Sequence, residues 1–238
     1  MGHVAHDEGH YLSKPGLWEW VRSVDHKRIG ILYLVAVMIS FVVGGAFALV
    51  LRTELASSGG QFLSERGYNI AFTLHGSIMI FLFVVPGLVS TFGNFFLPIM
   101  IGAREVALPV VNRLSFQIYV VGALIIAYGL ANPADTGWTF YTPYSADSET
   151  NVMALALGAF VLGFASILTG LNFLITVHKM RAPGMHWFRM PLFVWGIYAA
   201  SLIQVVATPV IGITLLLLIV ERLMGIGFFD PAIGGDPV

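Results

Sequence analysis

One histidine, His75, stands inside an otherwise apolar run, Tyr68-Asn69-Ile70-Ala71-Phe72-Thr73-Leu74-His75-Gly76-Ser77-Ile78-Met79-Ile80-Phe81. Ionisable groups are costly in such surroundings and generally serve a purpose. A neutral imidazole there needs a partner, and two are open. One is an iron held in a macrocycle, with the ring nitrogen as axial ligand. The other is a hydrogen bond to a neighbouring helix. Gly76 has no side chain, so either a flat cofactor or another helix can come close.

Other polar residues fall into two groups. Arg52 and Glu54 close the preceding apolar stretch. They can form an ordinary interfacial ion pair, or Arg52 can aim its charge at a carbonyl or anionic group of a ligand near His75. Asn94, Glu105, Asn112, Ser166 and Asn172 lie towards the opposite ends of their segments. Amides and hydroxyls in that arrangement can order a file of water behind a proton-collecting carboxylate at Glu105. They can equally satisfy helix ends and interhelical hydrogen bonds.

The elements that position these groups follow from composition. Of 238 residues, 57% are hydrophobic and 11% charged, against roughly 25% charged in an average globular domain. Mean hydropathy is +0.84. Lipid must therefore be the solvent for most of the chain. A spanning helix needs about 20 mostly apolar residues, and five stretches meet that: about 29–51, 69–101, 114–131, 152–177 and 191–220. Strand alternation is absent, so the expectation is an all-α membrane protein rather than a barrel. A net charge of −1 argues against nucleic acid as a partner, and a cysteine count of 0 excludes disulfides and thiolate chemistry from this sequence. The 18 phenylalanines suit either a planar cofactor or a lipid-facing surface.

Orientation follows from the basic residues. Nine of the 12 lysines and arginines (Lys14, Arg22, Lys27, Arg28, Arg104, Arg113, Lys179, Arg181 and Arg189) fall on one side, and Arg52, Arg66 and Arg222 on the other. The expectation is a cytoplasmic N-terminal segment, 1–28, and an outside stretch at 221–238. No apolar core with a small-residue cleavage site appears near the start, so no removable signal peptide is expected. His3, His6 and His10 suggest either a metal site or a solvated terminus.

The motifs, taken in order, resemble the opening of subunit I of the haem–copper oxidases. They are Val24-Asp25-His26-Lys27-Arg28-Ile29-Gly30, Leu51-Arg52-Thr53-Glu54-Leu55, Thr73-Leu74-His75-Gly76-Ser77-Ile78-Met79-Ile80-Phe81, and the run from Phe92 to Pro109 that contains Gly93-Asn94 and Arg104-Glu105. Gly137-Trp138-Thr139-Phe140-Tyr141-Thr142-Pro143, Met180-Arg181-Ala182-Pro183-Gly184-Met185, Pro191-Leu192-Phe193-Val194-Trp195 and Phe228-Phe229-Asp230-Pro231 follow. Such an ordered set is far more specific than any one of its members.

The resemblance implies that His75 is an axial ligand of a low-spin haem. It implies that Arg52 bonds the haem formyl group where the haem is of A type, although B type also occurs with such an arginine. Trp138 would lie near the haem propionates, and Tyr68 near the haem. Glu54 would lie near an outside cation site. Asn94, Asn112, Ser166 and Asn172 would belong to a proton-uptake pathway, with Glu105 in place of the aspartate usual at its mouth, and Ala165 stands where a hydroxyl residue can occur. Subunit I of the family has about twelve helices, of which this sequence covers the first five. The His-Pro-Glu-Val-Tyr motif, the other copper and haem ligands and the oxygen-reducing site are absent, so no catalytic residue is expected here. High-spin haem and copper belong to the missing half, supplied by a second polypeptide or by the rest of a longer chain.

Implied partners are those later helices, a copper-bearing subunit II, subunit III with accessory subunits, cytochrome c and lipid, at the inner cell membrane. Quinol-oxidising relatives carry polar groups where Val43, Phe47, Gly67 and Ile70 stand here, which favours cytochrome c as donor over quinol. Nitric oxide reductase is a more distant alternative. A non-catalytic scaffold or transporter subunit is the alternative of another class.

Overall fold

The computed structural model describes residues 16–56, 58–59 and 62–236. His3, His6, His10 and Lys14 lie outside them. Among the described residues five helices are long and apolar enough to cross a membrane. They are α1 (His26–Glu54), α2 (Glu65–Ile101), α3 (Pro109–Tyr128), α4 (Val152–Lys179) and α5 (Leu192–Met224). Helices are what a backbone must form in lipid, where no water satisfies a free N–H or C=O.

Local chemistry sets where they start and stop. The Asp25 carboxylate accepts from the amides of Lys27 (2.7 Å) and Arg28 (3.2 Å) and so caps α1. Ser64 caps α2 through Gly67 N–H, and Asn151 caps α4 through Ala154 N–H. Pro109 opens α3, where its missing N–H costs nothing. Helix α2 ends at Gly102 (φ +75°) and α5 at Gly225 (φ +66°), both in the left-handed conformation that glycine adopts freely.

Helix α2 is not uniform. Its ends, Glu65–Ser77 and Gly93–Ile101, are α-helical, but Ile78–Val84 and Gly87–Phe92 are wound as wider π turns on either side of Val85-Pro86. Pro86 has no N–H to give to the ladder, and π turns commonly mark functional segments. His75 sits in the last α turn before this widening.

Helix α4 is central and packs along its length against both α3 and α5. Small residues bring the first pair together. A Cβ on Gly158 would lie 2.5 Å from Ile126, and one on Gly122 would lie 2.7 Å from Leu162. Half of the apolar window of α4 is buried (50%), against 17% for α1 and 22% for α5. Helices α1 and α5 therefore turn broad apolar faces outward.

Two neighbouring residues at the end of α5 gather the loops beyond it. Arg222 donates to the carbonyls of Ser145, Ala146, Ser148 and Thr150 at 2.8–3.0 Å. Glu221 accepts from the amides of Phe228, Phe229 and Asp230 at 2.8–3.2 Å.

Candidate functional site

His75 is half-buried and points Nδ1 at the backbone carbonyl of Gly44 on α1, 2.9 Å away, which is the hydrogen bond to a neighbouring helix that the sequence left open. A carbonyl can only accept, so Nδ1 carries the proton and Nε2 keeps its lone pair. A metal-binding histidine is commonly oriented this way, by a hydrogen bond from its second nitrogen. The approach depends on Gly44, where a Cβ would lie 2.8 Å from Met79 Sδ.

On the next residue, Gly76, a Cβ would lie 2.5 Å from Trp138 Cδ1. The indole therefore rests on bare backbone beside His75. Its loop is tied down where Gly137 N–H donates to Thr73 Oγ1 at 2.9 Å. Phe81 continues the aromatic surface, with ring centroids 6.3 Å from both Trp138 and Phe140. An imidazole whose second nitrogen keeps its lone pair, beside the aromatic surface of Trp138 and Phe81, is a donor that fits one face of an iron macrocycle. His75 would supply one ligand to such a group, and a second would have to come from elsewhere.

The other residues singled out at this end of the bundle are more dispersed. Arg52 is exposed on the last turn of α1, eight residues and roughly 12 Å of helix outward of Gly44. Glu54 is buried and accepts from the amides of Phe62 (3.2 Å) and Leu63 (3.1 Å), fastening the connection between α1 and α2. Tyr68 shares an outer cleft with Glu54, Ser64, Glu65 and Asn69.

Polar groups on the opposite side are closely joined. Glu105 Oε1 accepts from His26 Nδ1 at 2.7 Å, from His26 N–H at 3.2 Å and from Val106 N–H at 3.0 Å. Asp25, His26 and Glu105 are the one trio among the described residues whose potential metal-ligand atoms lie within 4.8 Å of one another. However, Asp25 is occupied in capping α1, and Glu105 Oε1 already accepts three donors. In this structure the trio is a hydrogen-bonded cluster.

Inward of this cluster, Asn172 Oδ1 accepts from Leu108 N–H and Thr176 Oγ1 from Ala107 N–H, both at 2.9 Å. Asn112, in the first turn of α3, donates to Asn94 Oδ1 at 2.6 Å, and Asn94 donates to the Ser90 carbonyl at 2.7 Å. Ser115 donates to the Asn112 carbonyl, and the Tyr33 hydroxyl donates to Ser115 at 3.4 Å. Asn94, Asn112, Ser115 and Asn172 are fully buried, and Asn112 Oδ1 and Asn172 Nδ2 have no hydrogen-bond partner among the described residues. Tyr33 and Ser90 also line a cavity of about 160 Å³, together with Tyr119 and Ser166.

Sequence reasoning singled out Asn94, Asn112, Asn172, Glu105 and Ser166; in the structure Glu105 meets His26, Asn172 holds Leu108 N–H, Asn112 is bonded to Asn94, and Ser166 lines the cavity beside Tyr33 and Ser90. It missed His26 as the partner of Glu105, and also Tyr33 and Ser115. A signal was available on α3, where Asn112, Ser115 and Tyr119 recur at helical spacing in an apolar run.

A five-helix membrane unit with His75 hydrogen-bonded between two helices on one side and buried amides on the other is the class these observations define. The family model described as Cytochrome C and Quinol oxidase polypeptide I matches residues 28–238, and the chain belongs to that family. Cytochrome c oxidase subunit 1 of Thermostichus vulcanus is 43% identical over 230 residues, covering 94% of this chain and 42% of the relative. That of Bacillus subtilis (strain 168) is 40% identical over 225 residues, covering 93% and 36%. A probable cytochrome c oxidase subunit 1-alpha of Streptomyces avermitilis is 40% identical over 227 residues, covering 91% and 38%. The chain thus spans less than half the length of these relatives.

Proposed function

We propose that this chain holds one face of a low-spin haem in a terminal respiratory oxidase and carries the first part of its proton-uptake path. The observation behind the first part is the fixed His75 tautomer, with Nδ1–H on the Gly44 carbonyl and the Nε2 lone pair left for iron. The haem supplies reversible one-electron storage, which side chains lack. His75 ligates it, Gly76 and Trp138 shape the wall beside it, and Arg52 bonds its formyl group, which favours A type over B type. Glu105, with His26, collects protons from the cytoplasmic side, and Asn172, Asn112, Asn94 and Ser166 hold the water that conducts them inward.

Residues outside this sequence would hold the other side of that haem, together with a high-spin haem and a copper that would supply the reduction of dioxygen. Cytochrome c is the donor, through a copper-bearing subunit II, because Val43, Phe47, Gly67 and Ile70 offer no side-chain hydrogen bond to a quinol head group. Glu54 and Tyr68 line an outer cleft suited to a cation. Subunit III, accessory subunits and lipid cover the apolar faces of the assembly in the inner cell membrane, and nucleic acid has no part.

The test is a reduced-minus-oxidised spectrum of the purified complex. His75→Ala removes the low-spin band, and a band that persists unchanged overturns the assignment. Pyridine haemochromes read the haem type directly. Turnover with reduced cytochrome c exceeds that with a quinol, and the reverse order shifts the assignment to a quinol oxidase.

A further inference from the structure

Helix α5 carries three polar residues on one stripe, Ser201, Gln204 and Thr208, at spacings of three and four in an apolar sequence. The reading of the cytoplasmic file as a proton path makes no use of them. Gln204 is 9% exposed, and its side-chain Oε1 is buried with no hydrogen-bond partner among the described residues. The Ser201 hydroxyl is likewise buried and without a partner. Lipid-facing segments avoid such groups, and a buried amide without a partner is costly.

The place where this stripe lies explains why it is tolerated. Gln204 and Thr208 line the same 160 Å³ cavity as Tyr33, Ser90 and Ser166. Helix α4 contributes Ala165 to that wall, a methyl group with nothing to offer water. The fit of α5 to α4 is close here, since a Cβ on Gly170 would lie 2.9 Å from the Ser201 carbonyl and 3.4 Å from Gln204 Cβ. Gln204 is thereby held at the wall. A primary amide offers two donors and an acceptor and does not titrate, so it can orient water without trapping a proton.

We propose that Gln204 is a water-positioning residue at the inner end of the proton path, supplying the polar contact that Ala165 leaves out. The inference rests on the reading of that path as a proton route. No proton resides on the amide. Its NH₂ donates to water in the cavity that Tyr33 and Ser166 also line, while Oε1 lies closed off behind it.

The experiment uses the assembled oxidase and three variants: Gln204→Leu, Gln204→Met, and Gln204→Leu combined with Ala165→Ser. Haem spectra report assembly, and turnover and proton-uptake rates report the path. Gln204→Leu and Gln204→Met leave the low-spin band intact and slow proton uptake about tenfold, the kinetic equivalent of losing one well-placed water contact. Ala165→Ser restores most of that rate, because a hydroxyl on the same wall replaces the contact. Normal uptake in both single variants overturns the proposal. So does slow uptake that Ala165→Ser fails to restore, which marks Gln204 as a packing residue. Glu105→Gln is measured alongside. If it leaves uptake unchanged, the path itself is misassigned. If it slows uptake while Gln204→Leu does not, only the role of Gln204 falls.

Discussion

At the scale of single residues, His75 was legible and its acceptor was not. A histidine in an apolar run stands out in any sequence. The group that orients it is a backbone carbonyl 31 positions earlier, at Gly44, and backbone leaves no mark in composition. The two glycines at this site differ in what they tolerate. At Gly76 an added Cβ meets the Trp138 ring, a rigid body in a tied loop. Gly76→Ala therefore displaces the indole and costs about 1–3 kcal/mol, read as a lower melting temperature and a shifted low-spin band. At Gly44 the added atom meets Met79 Sδ, the end of a flexible chain. Gly44→Ala is milder there, and Gly44→Ala with Met79→Ala regains part of the loss, a coupling that a double-mutant cycle measures. On the Glu105 side, Asn112→Leu leaves Asn94 Oδ1 buried without its donor. It costs about 1–3 kcal/mol and slows proton uptake in the same preparation.

Helix-scale features were legible as far as hydropathy reaches. Five apolar stretches announced five helices, and Pro109, Gly102 and Gly225 mark boundaries by rules that hold in any chain. The π turns of α2 were not legible, because extra width per turn is fixed by packing rather than by residue type. The polar stripe of α5 lay in plain view at helical spacing, yet its meaning depends on which cavity it faces. Packing of α3 on α4 rests on backbone approach at Gly122 and Gly158. Gly158→Val wedges the pair apart and lowers the melting temperature of the complex, whereas Gly196→Ala, at a glycine with open space around it, leaves it unchanged. Thermal unfolding followed by haem absorbance separates the two.

Across the whole molecule, the excess of basic residues on one side gives a direction that coordinates alone do not carry. A cysteine count of 0 makes that direction simple to test. Glu149→Cys and His186→Cys each place one exposed thiol in a loop at opposite ends of the bundle. In intact cells an impermeant maleimide labels the first and spares the second, and the opposite pattern reverses the assigned topology. The outward apolar faces of α1 and α5 were implied by composition. What covers each of them was not, because lipid and a partner helix ask for the same side chains.

The carbonyl that holds His75 belongs to a helix fastened at both ends. Asp25 and the His26–Glu105 contact pin one end of α1, and the amides of Phe62 and Leu63 on Glu54 pin the other. Sliding α1 by one residue would carry the Gly44 carbonyl about 1.5 Å along the axis and swing it about 100° around it. Helix α1 therefore works as a depth gauge. Its two anchorages set how far beneath the surface an iron on His75 would lie, and so the distance an incoming electron must cover.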